Sequence, residues 1–149
     1  MKIYAENDKA YFNYNILEKF EAGLVLLGTE VKAIKTGKVT IKGSYVTIEE
    51  NEAYLTGANI PAYQPKNAPE NYDPKRSRKL LLEKKEIDTL VGKSKESGIA
   101  LVPLKIFDKN AKIKLEFGIG KGKKKYDKRE TIKKRDTQRE IDKALKSRG

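Results

Sequence analysis

Hydrophobic and polar positions alternate near the start of the chain. Phe12, Tyr14 and Ile16 are separated by polar residues, as one face of a half-buried β-strand requires. The alternation continues less regularly to residue 22, and the entirely apolar run from 24 to 27 is expected to be buried. Gly23 indicates a bulge or a close approach of another part of the backbone. A strand is therefore predicted in this part of the chain.

Two later segments have the apolar spacing of helices. Residues 28–37 and 85–97 each place their apolar residues three or four positions apart, and a glycine follows each set. These residues are Val31 and Ile34 with Gly37, and Ile87, Leu90 and Val91 with Gly98. Glycine readily adopts the left-handed conformation that ends a helix. The pattern therefore predicts one short and one longer helix.

The remaining apolar segments alternate around turns and predict two hairpins. Each consists of two strands and a turn: 40–48 and 53–60 around 49–52, and 99–107 and 113–120 around 108–111. Residues 61–78 hold four of the five prolines and are predicted to be a loop. Together these elements favour a mainly β fold, a small closed or nearly closed antiparallel β-barrel with flanking short helices.

The composition of the 149 residues excludes several classes of function. Cysteine is absent, which removes disulfides, thiolate nucleophiles and cysteine-based zinc sites. Histidine is also absent, which removes the commonest general base and metal ligand. No apolar run approaches roughly 18 residues, and the N-terminus lacks the apolar region of a signal peptide. We therefore expect a cytoplasmic protein that is not an enzyme and needs no metal, cofactor or membrane.

Positive charge is concentrated at the C-terminal end. Residues 121–149 contain 13 Lys and Arg against 5 Asp and Glu, a net charge of +8 out of +12 for the whole chain. This asymmetry indicates an acidic partner, and the lysines beside Tyr126 indicate a phosphate backbone. We predict a folded body over 1–120 and a basic tail over 121–149.

The tail sequence carries helical signals but little apolar surface. Asp127 and Glu130 have the spacing of an N-cap and its partner three residues on, and Lys134 follows Glu130 by four residues. An isolated helix of about 20 residues is marginal in water. We therefore predict a tail that is disordered when free and helical when bound, the alternative being a tail that serves solubility alone.

Three features of the body leave alternatives open. Glu21 lies in an apolar stretch and is either a plain exposed strand residue or an acceptor for base amino groups. The leucines at 80–82 are either core or an exposed apolar wedge among basic residues. The glycines of 118–122 lack the spacing of a nucleotide-binding loop and are interpreted as a flexible hinge before the tail.

Seven segments carry a resemblance to a known family. They are Phe20-Glu-Ala-Gly-Leu24, Gly28-Thr-Glu-Val-Lys32, Thr36-Gly-Lys38, the run from Asp73 to Leu82, Glu86-Ile-Asp88, Leu101-Val-Pro-Leu104 and the run from Gly120 to Arg129. Taken together, in this order and spacing, they resemble the SsrA-binding protein family, also called small protein B. No single segment is decisive, but the set spans nearly the whole chain.

The resemblance implies an oligonucleotide-binding-fold-like barrel with flanking helices and a basic tail. It also implies that the chain binds the tRNA-like domain of transfer-messenger RNA and delivers it to stalled ribosomes for trans-translation. The partners would be transfer-messenger RNA and the ribosome, at the small-subunit decoding region and the mRNA channel. Members of this family are not catalysts, and we expect a monomer.

The same resemblance assigns site residues. Glu21 and Leu81 match RNA-contacting positions, Lys79 and Lys114 are basic residues of that surface, and Glu83 stands where members often carry a different polar residue. The predicted ribosome-binding tail residues are Lys121, Lys123, Lys124, Lys125, Tyr126, Asp127, Lys128, Arg129, Lys133, Lys134, Arg135 and Arg139. The ring at position 126 is suited to stacking on an exposed base.

Two other functions are compatible with parts of this pattern. A generic RNA-binding or ribosomal protein with a basic extension would share the barrel and the tail. An enzyme acting on RNA would need paired carboxylates, and the densest acidic group is Glu49, Glu50 and Glu52. Because these three residues fall in a predicted turn, a solvated loop is the favoured interpretation.

Overall fold

The computed structural model describes residues 1–64, 66 and 70–123. The elements in chain order are β1 (Ile3–Glu6), α1 (Lys9–Asn13), β2 (Tyr14–Leu24), α2 (Gly28–Lys35), β3 (Tyr45–Glu49), β4 (Glu52–Thr56), β5 (Arg78–Leu81), α3 (Lys84–Ser94), β6 (Ile99–Lys109) and β7 (Lys112–Gly122). The predicted helix and charges of the tail from residue 124 onward lie outside the described residues.

The seven strands form one antiparallel sheet in the order β1-β6-β7-β2-β5-β4-β3. The prediction of a mainly β fold with a few helices is confirmed. The prediction of a closed barrel is wrong, because among the described strands β1 and β3 are the two edges of the sheet, each paired on one side only. The sheet nevertheless curls, and β3 comes within contact distance of β6. The curl encloses a core without the hydrogen bonds that would close a barrel.

The N-terminal segment differs from its predicted strand. Phe12 lies in the short helix α1, and β2 begins only at Tyr14. The reason is a tertiary contact: the side-chain nitrogen Nδ2 of Asn7 donates to the Pro103 carbonyl at 3.0 Å, which fixes the chain just before this helix. Ala10 then packs with Val102 in a small apolar cluster. A contact about 96 residues away in sequence thus overrides the local alternation.

Both predicted hairpins are present, with two-residue turns. The central residues have positive φ in each turn: 50° and 62° at Glu50 and Asn51, and 53° and 63° at Asn110 and Ala111. Such values match the twist of the flanking strands. The first hairpin is shorter than predicted, because residues 40–44 form a turn and one isolated bridge before β3 starts.

The two predicted helices are confirmed as α2 and α3. Gly37 follows α2 with φ of 80°, and its N–H donates to the Ile34 carbonyl at 2.9 Å. Lys38 N–H reaches the Ala33 carbonyl at 3.0 Å, so the helix ends in a Schellman motif. This end directs the chain away from α2 toward the β3–β4 hairpin.

The main core lies on the concave side of the sheet. Phe20 of β2 and Phe117 of β7 stack there with ring centroids 5.5 Å apart. Buried residues of both longer helices join them, among them Ile34 and Leu90. Burial of these apolar faces is the main contribution that holds the helices on the sheet.

The interpretation of the glycines at 118–122 as a hinge is wrong, because they belong to β7. A Cβ at Gly118 would lie 2.7 Å from Ile16 Cγ2 and 3.2 Å from the Glu18 carbonyl oxygen. β2 carries a bulge here, where the pairing register shifts between Ile16 and Glu18. Glycine is therefore needed for close approach of β7 to the bulged strand.

Candidate nucleic-acid interface

Three of the predicted RNA-contacting residues lie on one face of three neighbouring strands. Gly23 of β2 is paired with Leu81 of β5 on one side and with Lys114 of β7 on the other. Glu21 precedes Gly23 by two residues and therefore points to the same face. The structure thus brings Glu21, Leu81 and Lys114 together, although they are up to 93 positions apart in the sequence.

Leu81 is an exposed side chain and not part of the core. It is 56% exposed, whereas its neighbour Leu80 is 2% exposed. A Cβ at Gly23 would lie 3.4 Å from Leu81 Cβ and Cδ1. The Leu81 side chain thus lies over Gly23 at an ordinary contact distance. Neither the bulge nor the close backbone approach predicted at Gly23 is found there, because the register shift of β2 lies between Ile16 and Glu18. Of the two alternatives for the leucines, the core is correct at 80, whereas Leu81 is exposed and its insertion as a wedge stays a prediction.

The Glu21 carboxylate has a partner that the sequence did not indicate. Lys109, the last residue of β6, donates from Nζ to Glu21 Oε2 at 3.1 Å. Both side chains are about half exposed, at 41% and 50%. Exposed pairs of this kind contribute little to stability, so the contact opens at low cost. Glu21 is therefore held in place and remains accessible to another donor.

Lys79 lies on the same strand as Leu81, two residues earlier. Its Nζ donates to Glu52 Oε1 at 3.0 Å, and Tyr54 donates its hydroxyl to Glu52 Oε2 at 2.8 Å. These bonds, first from Tyr54 and then from Lys79, hold the pKa of Glu52 below its usual range. Because the charge of Lys79 is paired with the Glu52 carboxylate, Lys79 contributes less free positive charge to this face than the sequence suggests.

The acidic residues of the first hairpin lie in and beside its two-residue turn. Glu49 and Glu52 face each other as a cross-strand pair, and Glu50 is in the turn between them. Within the ranges that the structure describes, no group of three or more Asp and Glu side chains is placed to hold a metal ion.

Glu83 caps the start of α3. Its backbone N–H donates to Glu86 Oε1 at 3.1 Å, and its carbonyl accepts from the Glu86 N–H at 3.0 Å. The side chain is exposed beside the Leu81 face. Glu83 therefore has a structural position at the helix start, and its predicted contact with RNA stays a prediction.

Two of the predicted tail residues are described. Lys121 lies in β7 opposite Asn15, and Lys123 N–H donates to the Asn13 carbonyl at 2.9 Å. Lys123 also donates from Nζ to the Tyr11 carbonyl at 2.8 Å. Asn15 and Gly23 are eight residues apart on β2, or about 26 Å. The chain thus leaves the body far from the Leu81 face.

A buried ionic cluster behind this face was missed by the sequence analysis. Glu30 of α2 is 1% exposed and Arg78 of β5 is fully buried. Arg78 Nη2 and Nε donate to Glu30 Oε2 at 2.6 and 2.9 Å, and Tyr72 donates its hydroxyl at 3.0 Å. Arg76 closes the cluster through Nη2 to Glu30 Oε1. Arg78 is therefore not a surface cation beside the leucines.

The cluster fixes the ionisation of Glu30. Burial alone would raise the pKa of this carboxyl, but hydrogen bonds from Arg76, from the Leu27 N–H and from Arg78 together lower the pKa below its usual value. Because Arg78 begins β5, the charged Glu30 also ties the strand that carries Leu81 to α2. The only sequence signal for this buried cluster is the Arg-x-Arg pattern after a proline-rich loop, and the same pattern is equally typical of an exposed basic patch.

A lysine-rich exposed face on a curled antiparallel sheet is typical of RNA-binding domains. The family model described as SmpB protein matches residues 4–147. The chain therefore belongs to the SmpB family.

Curated relatives match the chain over almost its full length. The SsrA-binding protein of Carboxydothermus hydrogenoformans is 52% identical over 147 residues, covering 99% of this chain and 98% of the relative. The SsrA-binding protein of Magnetococcus marinus is 51% identical over 146 residues, covering 98% and 97%.

A solved structure described as "tmRNA-SmpB: a journey to the center of the bacterial ribosome" contains a similar chain. It is 45% identical with a TM-score of 0.66, and the match covers 80% of this chain and 84% of the other. Within the described residues, no helix is long and apolar enough to cross a membrane.

Proposed function

We propose that this chain binds the tRNA-like domain of transfer-messenger RNA and delivers it to stalled ribosomes for trans-translation. The observation that carries the proposal is its full-length membership of the SmpB family, whose relatives are SsrA-binding proteins. The chain acts by binding and positioning, without catalysing a reaction. Its partners, transfer-messenger RNA and the ribosome, make the cytoplasm its place of action.

The body supplies the RNA site. The curled sheet serves as an oligonucleotide-binding-fold-like surface, and its convex face around Glu21, Leu81 and Lys114 meets the RNA. Glu21 accepts hydrogen bonds from base amino groups once Lys109 moves aside. Leu81 inserts as an apolar wedge, Lys79 and Lys114 approach phosphates, and the exposed Glu83 borders the contact. Unpaired loop bases are the part of an RNA that such groups read.

The tail supplies the ribosome contact. Residues 121–149 carry a net charge of +8 that draws this segment to a channel walled by RNA. Its first two residues belong to β7, where Lys121 pairs with Asn15, about 26 Å along β2 from Gly23, and Lys123 is bonded to Asn13 at the end of α1. This separation supports RNA binding at one end of β2 and ribosome probing from the other.

The test is to recover the RNA bound to the chain in cells. The chain is purified from its own cells under mild salt, and the bound RNA is sequenced. One dominant species with a tRNA-like end is the expected result. A broad mixture of RNAs, or ribosomal RNA alone, would instead indicate a generic RNA-binding or ribosomal protein.

A further inference from the structure

The chain just after β7 is tied to α1, the short helix near the start of the sequence. The Lys123 N–H donates to the Asn13 carbonyl at 2.9 Å, and Lys123 Nζ donates to the Tyr11 carbonyl at 2.8 Å. Both acceptors are among the last carbonyls of α1, which have no partner further along the helix. The last turn of α1 contains no lysine or arginine of its own. Lys123 therefore supplies the cation at this helix end from 112 positions away.

α1 is itself held on the sheet, so it can serve as a fixed support. Asn7, just before the helix, donates from its backbone N–H to the Leu104 carbonyl at 2.9 Å and from Nδ2 to the Pro103 carbonyl at 3.0 Å. Ala10 of the helix is buried and packs with Val102 and Leu104 of β6. A residue that is bonded to α1 is thereby tied to the middle of β6.

The residues on either side of the end of β7 differ in how they are held. Lys121 is exposed, whereas Lys123 is half-buried. The Gly122 N–H donates to the Gly98 carbonyl at 3.2 Å, and a Cβ at Gly122 would meet no atom within 4 Å. Side-chain packing therefore does not set the course of the chain at Gly122. The course depends on hydrogen bonds, and Lys123 makes the two that reach α1.

We propose that Lys123 is a positioning residue, whose backbone and side chain clamp the end of β7 to α1 and so set the direction in which the chain leaves the body toward the ribosome. This role rests on the proposed function. It differs from the phosphate contact predicted for Lys123, because the ammonium is held against α1. A fixed starting direction reduces the volume that the following segment explores, which raises its effective concentration at the channel.

The direction of the chain and the charge of a single lysine contribute in different ways. Residues 121–149 have a net charge of +8, so the loss of one lysine leaves most of the attraction to RNA. Loss of the starting direction affects every charge that follows. Attraction to phosphates also weakens steeply with salt, whereas a hydrogen bond to a carbonyl releases no counterion. Salt therefore distinguishes a clamp from a phosphate contact.

The first test measures the clamp by hydrogen exchange in NMR spectra of the free chain. Lys123→Met removes the donor and keeps the aliphatic stem, so the amide of residue 123 should exchange roughly three- to tenfold faster, the scale of one solvated hydrogen bond. Lys121→Met is the matched control and should leave this amide unchanged. Circular dichroism establishes that both variants fold. Equal exchange of the residue 123 amide in Lys123→Met and the wild type would overturn the clamp.

The second test asks whether the charge of Lys123 reaches a phosphate. Binding of the chain, loaded with the tRNA-like domain, to stalled ribosomes is measured at several salt concentrations. Lys123→Met should weaken binding and leave the slope of log K against log salt unchanged. Lys121→Met should lower this slope by roughly 0.7, the value for one phosphate contact on a single strand. A slope lowered by Lys123→Met would make Lys123 a phosphate contact and overturn the proposal.

The third test separates positioning from RNA affinity. Both variants should bind the fluorescein-labelled tRNA-like domain as the wild type does, whereas Lys123→Met should lower the in vitro tagging rate by roughly threefold or more and Lys121→Met by less. Failure of the wild-type chain to bind this RNA or to support tagging would overturn the proposed function and the positioning role together. Wild-type tagging with equal rates in the two variants would overturn the positioning role alone.

Discussion

Arg78 and Glu30 form an ion pair that is closed off from solvent, with two donor nitrogens of one residue on a single carboxylate oxygen of the other, at 2.6 and 2.9 Å. Breaking such a pair leaves a buried charge without compensation. The pair joins α2 to the strand that ends at Leu81, so the exposed Leu81 face and the core depend on the same contact.

We predict that Glu30→Ala destabilises the fold by about 3–5 kcal/mol, because Arg78 would keep its charge in the core without its carboxylate. Urea denaturation followed by circular dichroism measures this. Glu52→Ala is the control: it removes the acid of an exposed pair with Lys79 and should change the stability far less than Glu30→Ala. Equal decreases in the free energy of unfolding of the two variants would contradict the argument that the buried ion pair matters more than the exposed one.

The Glu30 cluster also predicts a pH dependence. The pKa of Glu30 is lowered in the folded state, so between the folded and the unfolded pKa the unfolded chain binds more protons. The stability from this group is present above the ordinary glutamate pKa and is lost as pH falls through the folded value. Glu30→Gln removes this titration, so its stability should fall less steeply in acid than that of the wild type. Urea titrations at a series of acidic pH values provide the comparison.

A prediction for Gly118 follows from its contact with the bulged strand. Gly118→Ala should destabilise the fold by about 1–3 kcal/mol, because its Cβ would meet Ile16 Cγ2 at 2.7 Å and crowd the Glu18 carbonyl. Gly122→Ala, in the same strand, has no atom within 4 Å of the added Cβ and should be close to neutral. Thermal unfolding of the two variants decides, and a destabilised Gly122→Ala with an intact Gly118→Ala would contradict the packing argument.

The proposed RNA-binding face around Glu21 and Leu81 gives a prediction for binding. Glu21→Ala and Leu81→Asp should each weaken binding of transfer-messenger RNA, and loss of the charged acceptor at 21 should cost roughly 1.5–3 kcal/mol, about ten- to a hundredfold. Both side chains are exposed, so the fold should be retained. Gel-shift titration at fixed salt measures the effect. Glu96→Ala, which removes an exposed acid paired with Lys93 beside α3, is the control. Unchanged affinity of both test variants would remove these residues from the site.

Deletion of residues 127–149 should separate the two activities. We expect near-normal affinity for transfer-messenger RNA, because the Leu81 face is intact, and loss of tagging on stalled ribosomes. An in vitro tagging assay beside an RNA titration measures both. Joint loss would make the tail part of the RNA site, and retention of both would leave the tail as a solubility element. High salt should weaken the contribution of the tail more than that of the body.

Local sequence signals correctly predicted those elements whose conformation depends mainly on residues close together in the sequence. The β6–β7 hairpin and both longer helices follow from spacing, turn residues and glycine stops within about a dozen residues. The strand predicted around Phe12 was wrong because Asn7 binds the Pro103 carbonyl, a contact that no local pattern contains. The hinge at 118–122 was wrong because the glycines there serve close packing on Ile16 rather than flexibility.

For the candidate site, the sequence predicted some of the residues but not their partners, and it did so through the family resemblance and not through local patterns. Glu21 and Leu81 came from the resemblance, and their own residue types left the alternatives open. Lys109 and the partners of Glu30 were missed because they depend on strand register and on how α2 lies over β5. Sequence spacing does not contain that information.

The bulge at Leu17 has a consequence for how the length of this chain can vary among relatives. A single residue inserted or deleted within the regularly paired stretch from Glu18 to Gly23 would reverse the facing of part of that stretch, turning Glu21 into the core or Phe20 out of it, since side chains alternate along a strand. The extra residue already present, Leu17, is 60% exposed and lies at the register shift. Odd-numbered insertions and deletions should therefore be confined to that position, and the Ile16–Glu18 step is where an alignment of relatives should carry its gaps.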